Sequence, residues 1–440
     1  MITNKILVYQ TVLAALLWAG RASAQEPPTE PAPPPPPADP PAVVEPPTPE
    51  PPTAEAPPAN KGPSISGAPG KGVTLLVDDK FSLNIRLRFQ IRATYQALPE
   101  DPKTKRVEHE SLLNINTTRI YFSGHAYKPE LQYVLQLAVA GRDYRDGATS
   151  PIFDAFLDWH AHRDFNVKGG QYFVPFDRLR TVREFGLQMA DRPVPVSELT
   201  LDRDTGITVY SEKLFDTPLA YRLGAFGGGG TNQIAGKDVG GLLVGRLELR
   251  PLGPIDDDLE GDLDRRKDPG LAIGVGVANN FNTNRQRSTT GTTFKGGRTD
   301  YLHAAADLVF KGWGLALQAE YLYRKAKADK IQSLDDTVKP AAPLTEWTRS
   351  AHGWVLQSSY TFDPPIEVVG RLTRMHNLSG TDPKLISEID KRGTELGAGL
   401  NYYFNGHKLK LQTDWVARMP DDFHFGSADH VVHLLLDATL

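Results

Sequence analysis

The stretch Phe81-Ser82-Leu83-Asn84-Ile85-Arg86-Leu87-Arg88-Phe89-Gln90-Ile91-Arg92-Ala93-Thr94-Tyr95 decides the fold. Its odd positions are apolar or aromatic and its even positions polar or charged. A period of two sends successive side chains to opposite faces of a sheet, so the segment is a strand with an apolar face backed by one carrying Arg86, Arg88 and Arg92. Soluble antiparallel sheets alternate as well. Length separates the two cases: the segment exceeds the usual five or six residues and reaches the roughly 9–11 residues that a tilted strand needs to cross a bilayer. Lipid on one side and water on the other demand this pattern.

Segments of the same kind recur to the end of the chain. Leu131, Tyr133, Leu135 and Leu137 oppose Gln132 and Gln136; Leu243, Leu247 and Leu249 oppose Arg246 and Glu248; Val432, Leu434 and Leu436 close the series. Sixteen strands can be parsed between Phe81 and Leu440, and the connectors alternate in length. Lys128–Glu130, His162–Asp164, Lys311-Gly312, Asp363-Pro364-Pro365 and Asn405-Gly406 have the lengths and residue types of tight turns, whereas 97–113, 174–205, 283–299, 325–349 and 377–393 are long. The stretch 251–270 breaks the alternation, being long where a short turn is due. Short turns at one rim and long loops at the other describe an outer-membrane barrel. Tyr95, Trp159, Tyr301, Trp354, Tyr360, Tyr402 and Trp415 recur, several near strand ends, as interfacial girdles require. The expected fold class is therefore all-β, a sixteen-stranded antiparallel transmembrane β-barrel.

The N-terminus is consistent with export. Lys5, the apolar run Ile6 to Gly20 and Ala22-Ser23-Ala24 make residues 1–24 a secretory signal peptide. Residues 25–70 hold the run Pro33 to Pro37 with Pro27-Pro28, Pro40-Pro41, Pro46-Pro47 and Pro51-Pro52 around it. Proline on this scale removes backbone donors and favours polyproline II, so this segment is expected to be a disordered periplasmic linker without a core. Residues 71–440 are assigned to the barrel. Gly67-Ala68-Pro69-Gly70-Lys71-Gly72 lacks the Ser or Thr, the strand and the helix of a phosphate loop. Without cysteine there is neither a disulfide framework nor a lipoprotein anchor, and a net charge of −4 gives no case for nucleic acid. No motif calls for a cofactor.

Gly170-Gln171-Tyr172-Phe173-Val174-Pro175-Phe176-Asp177-Arg178, then Arg203-Asp204-Thr205-Gly206-Ile207, then Arg250-Pro251-Leu252-Gly253 with Glu260-Gly261-Asp262-Leu263, resemble the phosphate-selective porin O and P family across residues 73–440. The resemblance implies a homotrimer of sixteen-stranded barrels in the bacterial outer membrane, with a long third loop folded into each lumen as the constriction. It also implies small anions such as phosphate as the transported species, and an extended turn at 251–270. The family's arginine ladder does not align residue by residue, so phosphate over other anions rests on the resemblance alone.

The lumen charge follows from the register. Arg86, Arg88, Arg92, Arg119, Arg222, Arg246, Arg250, Arg324, Arg371, Lys408, Lys410 and Arg418 face inward, against Asp154, Asp158, Glu248, Asp307, Glu320, Glu367, Glu395, Asp414 and Asp437. The third loop adds Arg178, Arg180, Arg183 and Arg192. Rings of guanidinium groups favour anions, which makes Arg86, Arg88, Arg92, Arg119, Arg178, Arg180, Arg183, Arg192, Lys408 and Lys410 the candidate pore-lining and anion-binding residues. Arg86, Arg88 and Arg92 have no acidic neighbour on their own strand. The bland alternative is that lumen arginines pair across strands and merely brace the wall. His160 and His162 share a face without a third metal ligand, Gly227 to Gly230 suit an external loop, and Ser123 with His125 lacks the orienting partner of a hydrolase. Two functions remain. One is a passive, anion-preferring channel; the other is a structural outer-membrane protein that tethers lipid to peptidoglycan through its Pro-rich segment.

Overall fold

The computed structural model describes residues 62–99, 107–144, 150–233, 240–256, 258–335, 342–363, 365–420, 423 and 425–440. The expected signal peptide and most of the Pro-rich segment lie outside them. One antiparallel sheet holds eighteen strands. Two of these, Ser64–Ala68 and Gly72–Val77, form an N-terminal hairpin, and the remaining sixteen form the barrel. They are β1 Phe81–Ala97, β2 His109–Ala126, β3 Lys128–Ala138 and β4 Ile152–His162, then β5 Phe165–Phe173, β6 Arg203–Ser211, β7 Leu219–Phe226 and β8 Gly241–Leu249. The second half is β9 Gly270–Thr283, β10 Thr299–Gly312, β11 Leu315–Ala326 and β12 Ala351–Thr361, then β13 Ile366–Asn377, β14 Thr394–Tyr403, β15 Leu409–Met419 and β16 Asp429–Thr439.

Each strand pairs with the next, and β16 pairs with β1 through Leu434↔Ala93 and Asp437↔Gln90. Closure leaves no open edge, the condition for a sheet in lipid. The described residues include no helix long and apolar enough to cross a membrane.

The faces fall as the alternation requires. On β1, Ile85, Leu87, Ile91 and Tyr95 are exposed on the outer surface while Arg88 and Gln90 are buried. On β8, Leu243, Leu247 and Leu249 are exposed, Arg246 and Glu248 buried.

Among the boundaries that differ from expectation, two have a cause outside their own strands. The hairpin strand Ser64–Ala68 lies inside the stretch assigned to the unstructured linker. Its cause is an edge: β16 ends beside Arg88, so Phe81–Ile85 of β1 would be left unpaired, and Gly72–Val77 pairs there instead with Val73 opposite Ile85. The β10–β11 turn also falls two residues later than Lys311-Gly312. It turns at Trp313-Gly314, both at positive φ, 57° and 89°. The connector 250–269 explains the shift, because its Arg266 carbonyl accepts from the Trp313 N–H at 2.8 Å and its Asp262 carboxylate from the Gly314 N–H at 2.7 Å.

An arginine on the lipid face of a barrel costs about 2–4 kcal/mol at the bilayer midplane. Val275→Arg, on the outer face of β9, should therefore lower stability by that amount in vesicle unfolding titrations. An unchanged midpoint would contradict the face assignment.

Candidate pore constriction

The connector between β5 and β6, residues 174–202, turns into the lumen. It carries two short helices, α1 Arg178–Thr181 and α2 Val194–Leu199. Its Val174, Phe176, Leu179, Val196, Leu199 and Leu201 bury themselves against Leu242 and Val244 of β8, Leu322 of β11 and Val355 of β12. The inner wall is thus apolar where the loop docks. The alternation rule assigned that face to water, and the unbroken runs Leu242-Leu243-Val244, Tyr321-Leu322-Tyr323 and Trp354-Val355-Leu356, apolar or aromatic on both faces, signal the exception. Each large apolar side chain withdrawn from water contributes about 1.5–3 kcal/mol, so the cluster fixes the loop firmly.

Around the cluster the wall's charges bond the loop itself. Glu320 accepts from the backbone N–H of Arg178 and Leu179 at 3.1 and 2.9 Å. Lys410 donates to the carbonyls of Phe185 and Leu187 at 2.7 and 2.8 Å, and Asp414 accepts from the Ala190 N–H at 2.6 Å. Arg178 pairs with Glu248 and, at 2.9 Å, with Asp307. Buried charges are tolerable only when partnered, and the loop supplies those partners.

These bonds redistribute the ten candidate residues. Arg92 is taken by Asp191 at 2.8 Å, Arg119 by Asp143 at 2.6 Å with Glu184 beyond, and Lys410 by loop carbonyls, so these three fasten the constriction and line neither of the lumen cavities described below. Arg88, expected to be unpaired, meets Asp437 of β16 across the barrel seam. The reason is that inward residues on adjacent strands come within reach of one another, which inspection of one strand cannot reveal. Arg180 pairs with Asp202. Arg192 holds the carbonyls of Leu179 and Val182; burial and the nearby Arg180 pull its pKa down to about 10, which leaves it charged at neutral pH.

Two cavities border the docked loop, one along the β1–β8 side and one at the seam where the β14–β15 turn and the end of β16 meet β1 and β2. The first, about 410 Å³, has nine basic residues in its lining against six acidic ones, giving it an excess of positive charge. The second, about 360 Å³, lies toward the short-turn rim and takes in Arg88, Phe185 and Lys408. Burial, reinforced by Lys410, pushes His407 beside it down to about 3, so that ring is neutral. Both cavities are lined by Arg86, Tyr121 and Arg183, which therefore stand where one passes into the other. Arg86 lies over the Tyr121 ring, 5.7 Å from its centre, and has no carboxylate within ion-pair distance among the described residues.

The connector 250–269 approaches this junction from the short-turn rim. The Glu260 N–H donates to the Gly186 carbonyl at 3.0 Å, and the Gln188 N–H to the Glu260 carboxylate at 2.8 Å. At Gly186 a Cβ would stand 2.0 Å from the Asp258 carbonyl oxygen, so only glycine admits the contact. Among the described residues no group of His, Cys, Asp and Glu could hold a metal, and His125 bonds Ser82 at 2.7 Å, not Ser123.

A closed sixteen-stranded barrel, narrowed by an inserted loop between two charged cavities, defines a passive porin channel of the bacterial outer membrane, not an enzyme. The chain belongs to the phosphate-selective porin O and P family, whose profile matches residues 85–424. It is similar in fold to OmpF of Salmonella typhi in complex with daunomycin, at 13% identity over 83% of this chain and 99% of that one, with a TM-score of 0.51. The outer membrane channel DcaP of Acinetobacter baumannii matches at 13% identity, 81% and 97% coverage and a TM-score of 0.49. An anion-selective porin from Comamonas acidovorans matches at 10%, 81% and 100% coverage and 0.48. A search of curated proteins finds no match.

Phe176 is fully buried at the centre of the loop's apolar cluster, and truncating such a side chain costs about 3–5 kcal/mol. Phe176→Ala should loosen the loop and raise both conductance and open-channel noise in bilayer recordings. Traces identical to wild type would show that the cluster does not hold the constriction.

Proposed function

We propose that the channel passes small anions, phosphate among them, in preference to cations. The observation that carries this reading is the shared lining of the two cavities. Among the described residues Arg86 has no carboxylate partner there, and the Arg183 carboxylate contact, to Asp258, is long at 3.5 Å and half exposed. A unit charge about 5 Å from a permeating ion is worth about 0.8 kcal/mol at the dielectric of water and about 3 kcal/mol at an effective value of 20. Low-dielectric walls focus that field into the lumen. Two such arginines outweigh the net charge of −4 carried by the whole chain, because distant acid is screened within roughly 8–10 Å. Arg88, Arg178 and Arg180 add less, each being paired.

Phosphate as a permeant species is supported by the family, and guanidinium and ammonium donors suit its oxygens. The same family supports a homotrimer, in which part of the apolar outer wall faces a neighbour and the remainder faces lipid. Crosslinking in mild detergent should give a three-subunit band; monomer alone would refute this assembly. For selectivity, replacing both Arg86 and Arg183 by Glu should move the zero-current potential in a potassium chloride gradient from the anion side to the cation side. A wild-type channel that already selects cations, or a double variant that behaves as wild type, would overturn the anion reading.

A further inference from the structure

The connector 250–269 joins two strands at the rim of short turns, where a few residues suffice. Its length therefore calls for a role. Its middle leaves the rim and is bonded inside the barrel: Glu260 is 3% exposed, its carbonyl accepts from Gln318 at 2.9 Å and its carboxylate from Gln357 at 2.9 Å, both on the inner wall. Lys311 reaches the carbonyls of Asp256 and Leu259 at 2.7 and 2.5 Å. On its other side the segment meets the third loop at Gly186 and Gln188. It is therefore held from both sides, and Asp258 and Leu259 keep a fixed place. That place is the junction of the two cavities: Asp258 lines the first and Leu259 the second.

We propose that the β8–β9 connector is a second jaw of the constriction and that Asp258 sets the strength of the pore's charge preference by offsetting Arg183. The geometry carries this. Asp258 Oδ1 stands 3.5 Å from Arg183 Nε, and the two side chains are 50% and 46% exposed, so both remain in contact with permeating water and ions. A pair at this distance in solvent contributes little to stability, but it cancels one positive charge where the two cavities adjoin. Third-loop arginines alone would then overstate the filter's positive field. This residue is a selectivity determinant for the anion conduction proposed above, and it rests on that reading for the sign of the starting preference only.

The test is a charge cycle on the full-length channel, read as the chloride-to-potassium permeability ratio. Asp258→Asn removes one negative charge about 5 Å from the ion path and, because that charge acts in opposite senses on anion and cation, should raise the ratio about ten- to fifteen-fold. Arg183→Gln should lower it by a similar factor. The double variant restores local neutrality and should return to the wild-type ratio. Neither side chain is buried, so the barrels should fold, which heat-modifiable migration on gels would verify. An Asp258→Asn ratio equal to wild type, or a double variant no nearer wild type than Arg183→Gln alone, would overturn the proposal. The direction of the Asp258→Asn shift does not depend on whether the wild-type pore prefers anions. A cation-preferring wild type would therefore sink the functional reading while leaving the role of Asp258 to be decided by its own shift.

Discussion

Everything in this molecule depends on the pairing of β16 with β1. The two strands lie more than 300 residues apart in the chain, yet Asp437 sits opposite Gln90 and the C-terminal Leu440 exchanges backbone hydrogen bonds with Leu87. Without that seam two strand edges would face hydrocarbon, where each unpaired backbone group costs several kcal/mol. Closure also determines what stands inside. It brings Asp437 to Arg88, removes that arginine from the pool of free charge and leaves Arg86, two residues nearer the rim of short turns, as the inward guanidinium of β1 without an acid among the described residues. The N-terminal hairpin completes the seam below the point where β16 ends.

The inserted loop then uses a lumen the barrel has made. A polar inner wall would leave a wide aqueous pore, but Leu242, Val244, Leu322 and Val355 turn one side of it into a docking surface. The loop seals that side with apolar contact and satisfies the surrounding charges with its own backbone. Water keeps the β1–β8 side, where the basic residues outnumber the acidic ones. The apolar docking surface and the two cavities thus take different parts of one lumen.

Much of this is legible in the chain itself. Alternation in Phe81–Tyr95 gives strand type, register and the lipid face, because a period of two is local and a one-residue slip would invert it. Connector lengths give the strand count and mark 251–270 as exceptional. What alternation cannot show is partnership between distant segments. Arg88 reads as free until Asp437 is placed beside it, and Arg92 and Lys410 read as pore-lining until the loop covers them. The third-loop arginines were visible as a cluster, but their division into fasteners, such as Arg178, and lining residues, such as Arg183, depends on which wall each one meets. Asp258 had no local signal beyond the length of its connector.

On the proposed reading, ions pass between Arg86, Tyr121 and Arg183. The chain has no cysteine, so single replacements give unambiguous accessibility. With cysteine at position 86 or 183, a charged methanethiosulfonate reagent should react in the open channel and change its conductance in discrete steps. Cysteine at position 410, buried beneath the third loop, should not respond. Unchanged conductance at both 86 and 183, with reaction at 410, would place the ion path on the other side of the loop and contradict the account.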